Sequence, residues 1–125
     1  MREIIKTAQA PDPIGPYSQA IRASGLIFVS GQIPIDPATS SVSGGDIAVQ
    51  TRQVMRNLSA ILAAGASGMD KIVKTTVFLS NLDDFQKFNE VYAEFLGSSK
   101  PARATVEVSR LPKGVLIQID AIALA

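Results

Sequence analysis

The residues best placed to do chemistry lie between Pro101 and Gln118, in the stretch PARATVEVSRLPKGVLIQ. Arg103 opens a β-branched run. A Leu-Pro-Lys-Gly turn follows, and a second apolar run carries Gln118 and Asp120. A guanidinium presents a planar fork of donors that matches a carboxylate in two parallel bonds, so Arg103 beside a sheet suits a small carboxylate ligand. Such a charge-assisted pair contributes about 1.5–3 kcal/mol. The plainer alternative is a solvated arginine at a sheet edge. Gln118 lies mid-strand, where a polar side chain needs a reason. Its amide can orient a water but cannot accept a proton from it at neutral pH. It can equally be an interface amide bonded to a neighbour. A tight hairpin about Leu111 to Gly114 sets Glu107 opposite Gln118 and Thr105 opposite Asp120. Arg103 is then out of direct register with Gln118. A bulge, a slipped register or a second subunit is needed to bring the two to one ligand.

Composition narrows the chemistry further. The chain has no Cys and no His. Disulfides, thiolate nucleophiles and Cys-ligated metals are excluded, and so are the commonest general base and the commonest transition-metal ligand. Catalysis is left to carboxylates, amides, hydroxyls, Arg, Lys, backbone groups and water. Lys plus Arg is 12 and Asp plus Glu is 11, a net charge of +1 with no basic stripe, so no nucleic-acid partner is expected. No apolar run reaches the roughly 18 residues of a membrane span, and the N-terminus lacks a signal-peptide core. The expectation is a cytoplasmic protein without a membrane partner. Charged residues make up 18% of the chain, below the typical ~25%. A small domain so poor in charge leaves apolar surface uncovered, which predicts an oligomer.

Three further positions carry chemical groups at turns or among aromatics. Ser30-Gly31 in FVSGQIP can expose backbone amides and a hydroxyl, or simply end a strand. Tyr17 in IGPYSQ reads as packing with a possible hydroxyl contact. Phe85, Phe88, Tyr92 and Phe95 form an apolar helical stripe that reads as core. Asn89 lies among them, off the strict stripe, where it can reach an interface.

The elements that must position these residues follow from periodicity. Arg2–Thr7 reads as a strand, and Ala10–Pro16 as a rigid proline loop. Tyr17–Ser24 and Leu26–Ser30 alternate with a period of two and form a hairpin about Gly25. Pro34–Gly45 is a long loop. A helix starts near Asp46, with Ile47, Thr51, Val54, Leu58, Ile61 and Leu62 as its stripe, Gln50 and Asn57 off it, and Gly65 and Gly68 at its end. Lys71–Ser80 is a strand, with Val73, Thr75, Val77 and Leu79 on one face. Asn81 caps the second helix and Gly97 closes it. The last strands are Ala102–Ser109 and Val115–Leu124. The order is β-β-β-α-β-α-β-β in one domain spanning 1–125, an α+β arrangement with two helices on one face of a six-stranded sheet. On the last strand Ile117, Ile119, Ala121 and Ala123 should face the helices. Leu116, Gln118, Asp120, Ile122 and Leu124 make a mixed face that suits a subunit interface with a wet pocket.

Four stretches together resemble the RidA (YjgF) family of reactive-intermediate imine deaminases: IGPYSQAI at 14–21, VSGQIPIDP at 29–37, VKTTVFLSNLDDFQKFNEVY at 73–92 and PARATVEVSRLPKG at 101–114. They occur in order across nearly the whole chain. The resemblance implies a chorismate-mutase-like fold with a mixed sheet, and a homotrimer whose sheets form a central barrel with ligand pockets between subunits. It implies a 2-iminobutanoate/2-iminopropanoate deaminase, which hydrolyses 2-aminoacrylate-type intermediates from PLP enzymes to 2-oxo acids and ammonia. Neither cofactor nor metal is implied. By position, Arg103 matches the arginine that holds the substrate carboxylate. Tyr17, Ser30, Gly31, Asn89 and Thr105 match pocket positions. Thr105 stands where many members have Cys, and its backbone carbonyl is expected to help hold the attacking water. Gln118 departs from the pattern: the family has a glutamate there, thought to position or activate that water. Asp120 matches a further acidic position and does not replace it. An attenuated deaminase is therefore expected. A trimer that binds small carboxylates or 2-oxo acids without turnover is one alternative; ribonuclease or translation-inhibitor activity, attributed to some relatives, is another.

Overall fold

The computed structural model describes residues 1–125. Its elements are β1 Glu3–Ile5, β2 Ala20–Ala23, β3 Leu26–Gln32, β4 Ile35–Asp36, β5 Ser41–Val42, α1 Ile47–Ala64, β6 Ile72–Leu79, α2 Phe85–Leu96, β7 Ala102–Glu107 and β8 Ile117–Leu124. Six of the strands form one mixed sheet in the order β1-β2-β3-β8-β6-β7, while β4 and β5 make a small hairpin of their own inside the long loop. Both helices pack on one face, as the periodicity predicts. Ile117, Ile119, Ala121 and Ala123 are buried against them in a core shared with Leu58, Ile61, Leu62, Phe88 and Tyr92.

The expected terminal hairpin does not form. β8 lies between β3 and β6, antiparallel to both, and β7 pairs in parallel with the other side of β6. The reason is the connection through α2. A helix joining two strands returns the chain parallel to its start, so β7 docks beside β6. β8, whose inner face is wholly apolar, takes the central position, where both its edges are paired. Glu107 is consequently level with Leu79, not Gln118, and its carboxylate accepts a hydrogen bond from the Leu82 amide at 2.8 Å.

Smaller departures have equally local causes. A register shift between Ile72 and Lys74 turns Ile72 into the core and leaves Val73 exposed. Tyr17 and Ser18 lie outside β2, and Asn81 caps a short 3-10 turn, Leu82–Asp84, that leads into α2. Gln50 and Asn57 on α1 are buried although they fall off its apolar stripe. Gln50 accepts from the Leu116 amide at 2.8 Å, and Asn57 donates to the carbonyls of Ile33 and Ile35 at 3.3 and 3.0 Å. These amides satisfy backbone groups of irregular segments that a purely apolar helix face would strand.

Asp46 caps α1 by accepting from the Val49 amide at 3.1 Å. Asp46→Ala is expected to lower unfolding free energy by about 1 kcal/mol. Urea denaturation checks this; an unchanged midpoint would show that the cap contributes nothing.

Candidate functional site

Arg103 stands on β7, at the edge of the sheet. It is paired with Thr75, so its side chain rises on the helix-covered face beside α2. Its Nη1 donates to Asn89 Oδ1 at 2.7 Å. The guanidinium carbon lies 5.4, 5.2 and 4.9 Å from the ring centroids of Phe85, Phe88 and Tyr92. Cation–π attraction contributes about 0.5–2 kcal/mol to a cation held in this way. No carboxylate joins the group. The ion pairs of the chain link Arg22 to Glu3, Arg52 to Glu94 and Lys87 to Glu90. Arg103 is thus a half-buried cation whose orientation is held by neutral groups and whose charge is uncompensated.

The surroundings keep it so. The Tyr92 hydroxyl shares a 2.6 Å hydrogen bond with Thr75 Oγ1. Burial pushes the Tyr92 pKa up, against opposing pulls from the Thr75 hydroxyl and from Arg103. The phenol therefore stays neutral at ordinary pH and supplies no counter-charge. Thr105, two residues from Arg103 on the same face, buries its Oγ1 with no hydrogen-bond partner. Such a group costs about 1–3 kcal/mol while unpaired.

Gln118 belongs to the opposite face of the sheet. It is level with Phe78 on β6 and lies over Gly31 on β3. The β3–β8 register shifts between Val29 and Gln32, a bulge centred on Ser30 and Gly31. The bulge turns Ser30 toward the preceding loop. Its amide donates to the Gln19 carbonyl at 2.9 Å and its hydroxyl to the Ser18 carbonyl at 2.6 Å. Gln19 itself is buried and ties the loop down, accepting from the Thr7 amide at 2.7 Å and donating to the Pro11 carbonyl at 2.8 Å. Tyr17 is thereby held at the rim. Tyr17, Ser30, Gly31 and Gln118, with Ile14, Ile33 and Pro112, line an open cavity of about 410 Å³. Farther along β8, Asp120 is level with Thr76. Burial raises its pKa, opposed by hydrogen bonding to Thr76 and by the Lys74 charge.

Gly31 is small for a stated reason. A Cβ there would stand 2.6 Å from Gln118 Nε2. Gly31→Ala is expected to push the amide out of the cavity at a stability cost of about 1 kcal/mol, the low end for overpacking because a flexible side-chain tip gives way. A crystal structure of the variant checks it; a Gln118 amide still lying over residue 31 would refute it.

The candidate residues therefore fall into two groups. Arg103, Thr105 and Asn89 share the helix-side edge, and Tyr17, Ser30, Gly31 and Gln118 share the open face. One chain does not bring the two groups together. The aromatic stripe is more than the core that its spacing predicts. Phe88 and Tyr92 are buried, yet with the exposed Phe85 they also enclose Arg103. The signal was present: Phe85, Phe88, Asn89 and Tyr92 recur at the i, i+3, i+4, i+7 spacing of one helix face. No group of three or more Asp, Glu, His or Cys side chains is arranged to hold a metal. No helix is long and apolar enough to cross a membrane.

A helix-backed mixed sheet with an unpaired cation at its edge and a cavity of mixed lining on its open face defines a small α+β fold with two candidate half-sites. The family model described as endoribonuclease L-PSP matches residues 7–125. A RutC family protein of Pyrococcus horikoshii is 58% identical over 123 residues, covering 98% of both chains. The solved Rid-family protein YyfA of Yersinia pestis superposes with a TM-score of 0.98 at 47% identity over 100% of both chains. TdcF of E. coli, solved with bound serine, gives 0.94 at 40% identity over 98% of each. The chain belongs to the RidA (YjgF) family, which the endoribonuclease L-PSP description also covers.

Proposed function

We propose that this protein is a homotrimeric deaminase that hydrolyses small 2-imino acids, 2-aminoacrylate and its imine tautomer among them, to 2-oxo acids and ammonia. The observation that carries this reading is the uncompensated guanidinium of Arg103. A half-buried cation wedged among three rings and one amide lacks an anion, and a substrate carboxylate supplies one. Serine, the ligand named for TdcF, is a small carboxylic acid of the same size class. The open sheet face supports the assembly. Ile4, Phe28 and Leu124 are exposed on it beside Gln118 and Asp120, a mixed surface suited to a subunit contact. In this reading Arg103, Asn89 and Thr105 at the β7 edge of one subunit meet the cavity of Tyr17, Ser30, Gly31 and Gln118 on the next.

The chemistry asks little of the protein. An imine conjugated to a carboxylate is already electrophilic. Arg103 fixes the carboxylate, the Gln118 amide and the Thr105 carbonyl place a water near C2, and water adds to give a tetrahedral carbinolamine. Collapse expels ammonia and leaves the 2-oxo acid, with the departing nitrogen taking up the proton that Gln118 cannot accept. The test is ammonia or 2-oxo acid release from 2-aminoacrylate generated in situ by a dehydratase. Acceleration over buffer at micromolar protein is expected; no acceleration overturns the reading.

Gln118 favours one rival, a trimer that binds 2-oxo acids without turnover. Calorimetric binding of 2-oxobutanoate with no imine hydrolysis would establish it. The family description favours ribonuclease activity. A chain without His and with a net charge of +1 is poorly equipped for that. RNA cleavage that survives Arg103→Ala would revive it.

A further inference from the structure

We propose that Gln118 sets which small carboxylic acid this site retains, favouring the neutral carbonyl of a 2-oxo acid over the ammonium of an α-amino acid. The inference rests on the reading above, in which Arg103 of one subunit closes the cavity of the next.

No carboxylate lines the cavity. Its polar groups are the Gln118 amide, the Ser30 hydroxyl, already donating to Ser18, and the Tyr17 hydroxyl, which accepts a long 3.4 Å contact from the Ile14 amide. The nearest acids do not repair the deficit. Asp12 is exposed in the adjoining crevice, and a third crevice beyond it is lined by both Asp12 and Lys113. Asp120 is turned to Thr76 and Lys74 and lies outside the cavity. On the other half, Glu107 farther along β7 accepts from the Leu82 amide and no acid pairs with Arg103, so the two halves bring the Arg103 charge and no carboxylate bonded to it.

A 2-oxo acid is a monoanion. Its carboxylate neutralises Arg103, and its carbonyl oxygen accepts from the Gln118 Nε2 amide, which lies over the Gly31 bulge. An α-amino acid brings the same carboxylate and adds a cation. That ammonium meets only neutral acceptors, the Gln118 amide oxygen and the Tyr17 and Ser30 hydroxyls among them, and the guanidinium bound to the neighbouring carboxylate repels it. A carboxylate at position 118 reverses the balance, since it supplies the ammonium with its counter-charge and faces the carbonyl oxygen with another acceptor. Glu is nearly isosteric with Gln, so the exchange alters charge and donor pattern while the packing over Gly31 is kept.

The experiment uses two ligands that differ only at C2, 2-oxobutanoate and 2-aminobutanoate, titrated calorimetrically into the wild-type protein, Gln118→Glu and Arg103→Ala. Wild type should prefer the oxo acid by about tenfold or more, roughly 1.4 kcal/mol. Gln118→Glu should narrow that preference by about tenfold or reverse it, with an unchanged melting curve. Arg103→Ala should bind neither ligand. Equal wild-type affinities, or a preference that Gln118→Glu leaves intact while Arg103→Ala loses both ligands, overturns the role of Gln118 and spares the site. Arg103→Ala binding both ligands as wild type does overturns the site itself, as does a wild-type protein that binds neither.

Discussion

Arg103→Ala should abolish binding of small carboxylates and reduce imine hydrolysis by at least about 10²-fold, the consequence of losing a charge-assisted bidentate pair worth about 1.5–3 kcal/mol together with the alignment it imposes. The fold should survive. Arg103 is on an edge strand and is only half-buried, and the core of Leu58, Ile61, Phe88, Ile117 and Ile119 does not depend on it. Losing the cation–π contacts to Phe85, Phe88 and Tyr92 should cost about 0.5–2 kcal/mol of stability. Arg103→Lys sharpens the test. Lysine keeps the charge but loses the planar fork that bonds Asn89 and stacks on the rings, so it should recover little of the affinity. The measurements are 2-oxobutanoate calorimetry and coupled ammonia release. Wild-type activity in Arg103→Ala would end the carboxylate-clamp assignment.

Gln118→Glu should raise the rate of imine hydrolysis by roughly 10²–10⁴-fold, the usual range for a positioned general base. In the proposed reaction the amide only orients water, whereas a carboxylate in the same volume would also remove its proton. The gain should bring a new limb to the pH profile. The base works only when ionised, so the variant's rate should climb as pH rises through the titration of the introduced carboxyl group, whereas no carboxylate lines the wild-type cavity to produce that limb. A rate equal to or below wild type would show that proton removal is not what limits this chain. The same substitution is expected to weaken the preference for the 2-oxo product, so faster chemistry and easier product release should appear together.

Much of the architecture was legible from local signals. The alternation in Ile117–Leu124 identified the helix-facing side of the last strand, because a strand buried on one face must place its apolar residues at every second position. Asp46 and Gly65 marked the ends of the first helix for reasons of backbone capping. Pairing partners were not legible. The turn at Leu111–Gly114 suggested a hairpin, yet strand neighbours are chosen by long-range burial, and β6 took the position beside β8. Buried amides were equally hidden. Gln19, Gln50 and Asn57 look like surface residues by type, and only the irregular backbone that they satisfy explains their burial.

Arg103 and Gln118 show where the division lies. Residue types alone bounded the available chemistry: with no Cys and no His, carboxylates, amides, hydroxyls, Arg, Lys and backbone groups are left, and among them a guanidinium suits a carboxylate and an amide a water. The spacing in the chain also showed that a simple hairpin would not join them. Tertiary structure decided the rest. It set Arg103 in an aromatic enclosure on the helix side and Gln118 over a glycine bulge on the open side, so the two halves lie on opposite faces of one sheet. The physical reason is that side-chain direction in a sheet follows from register. Register here was settled by the crossover through α2 and by the burial of β8, contacts distant in sequence that no local pattern encodes.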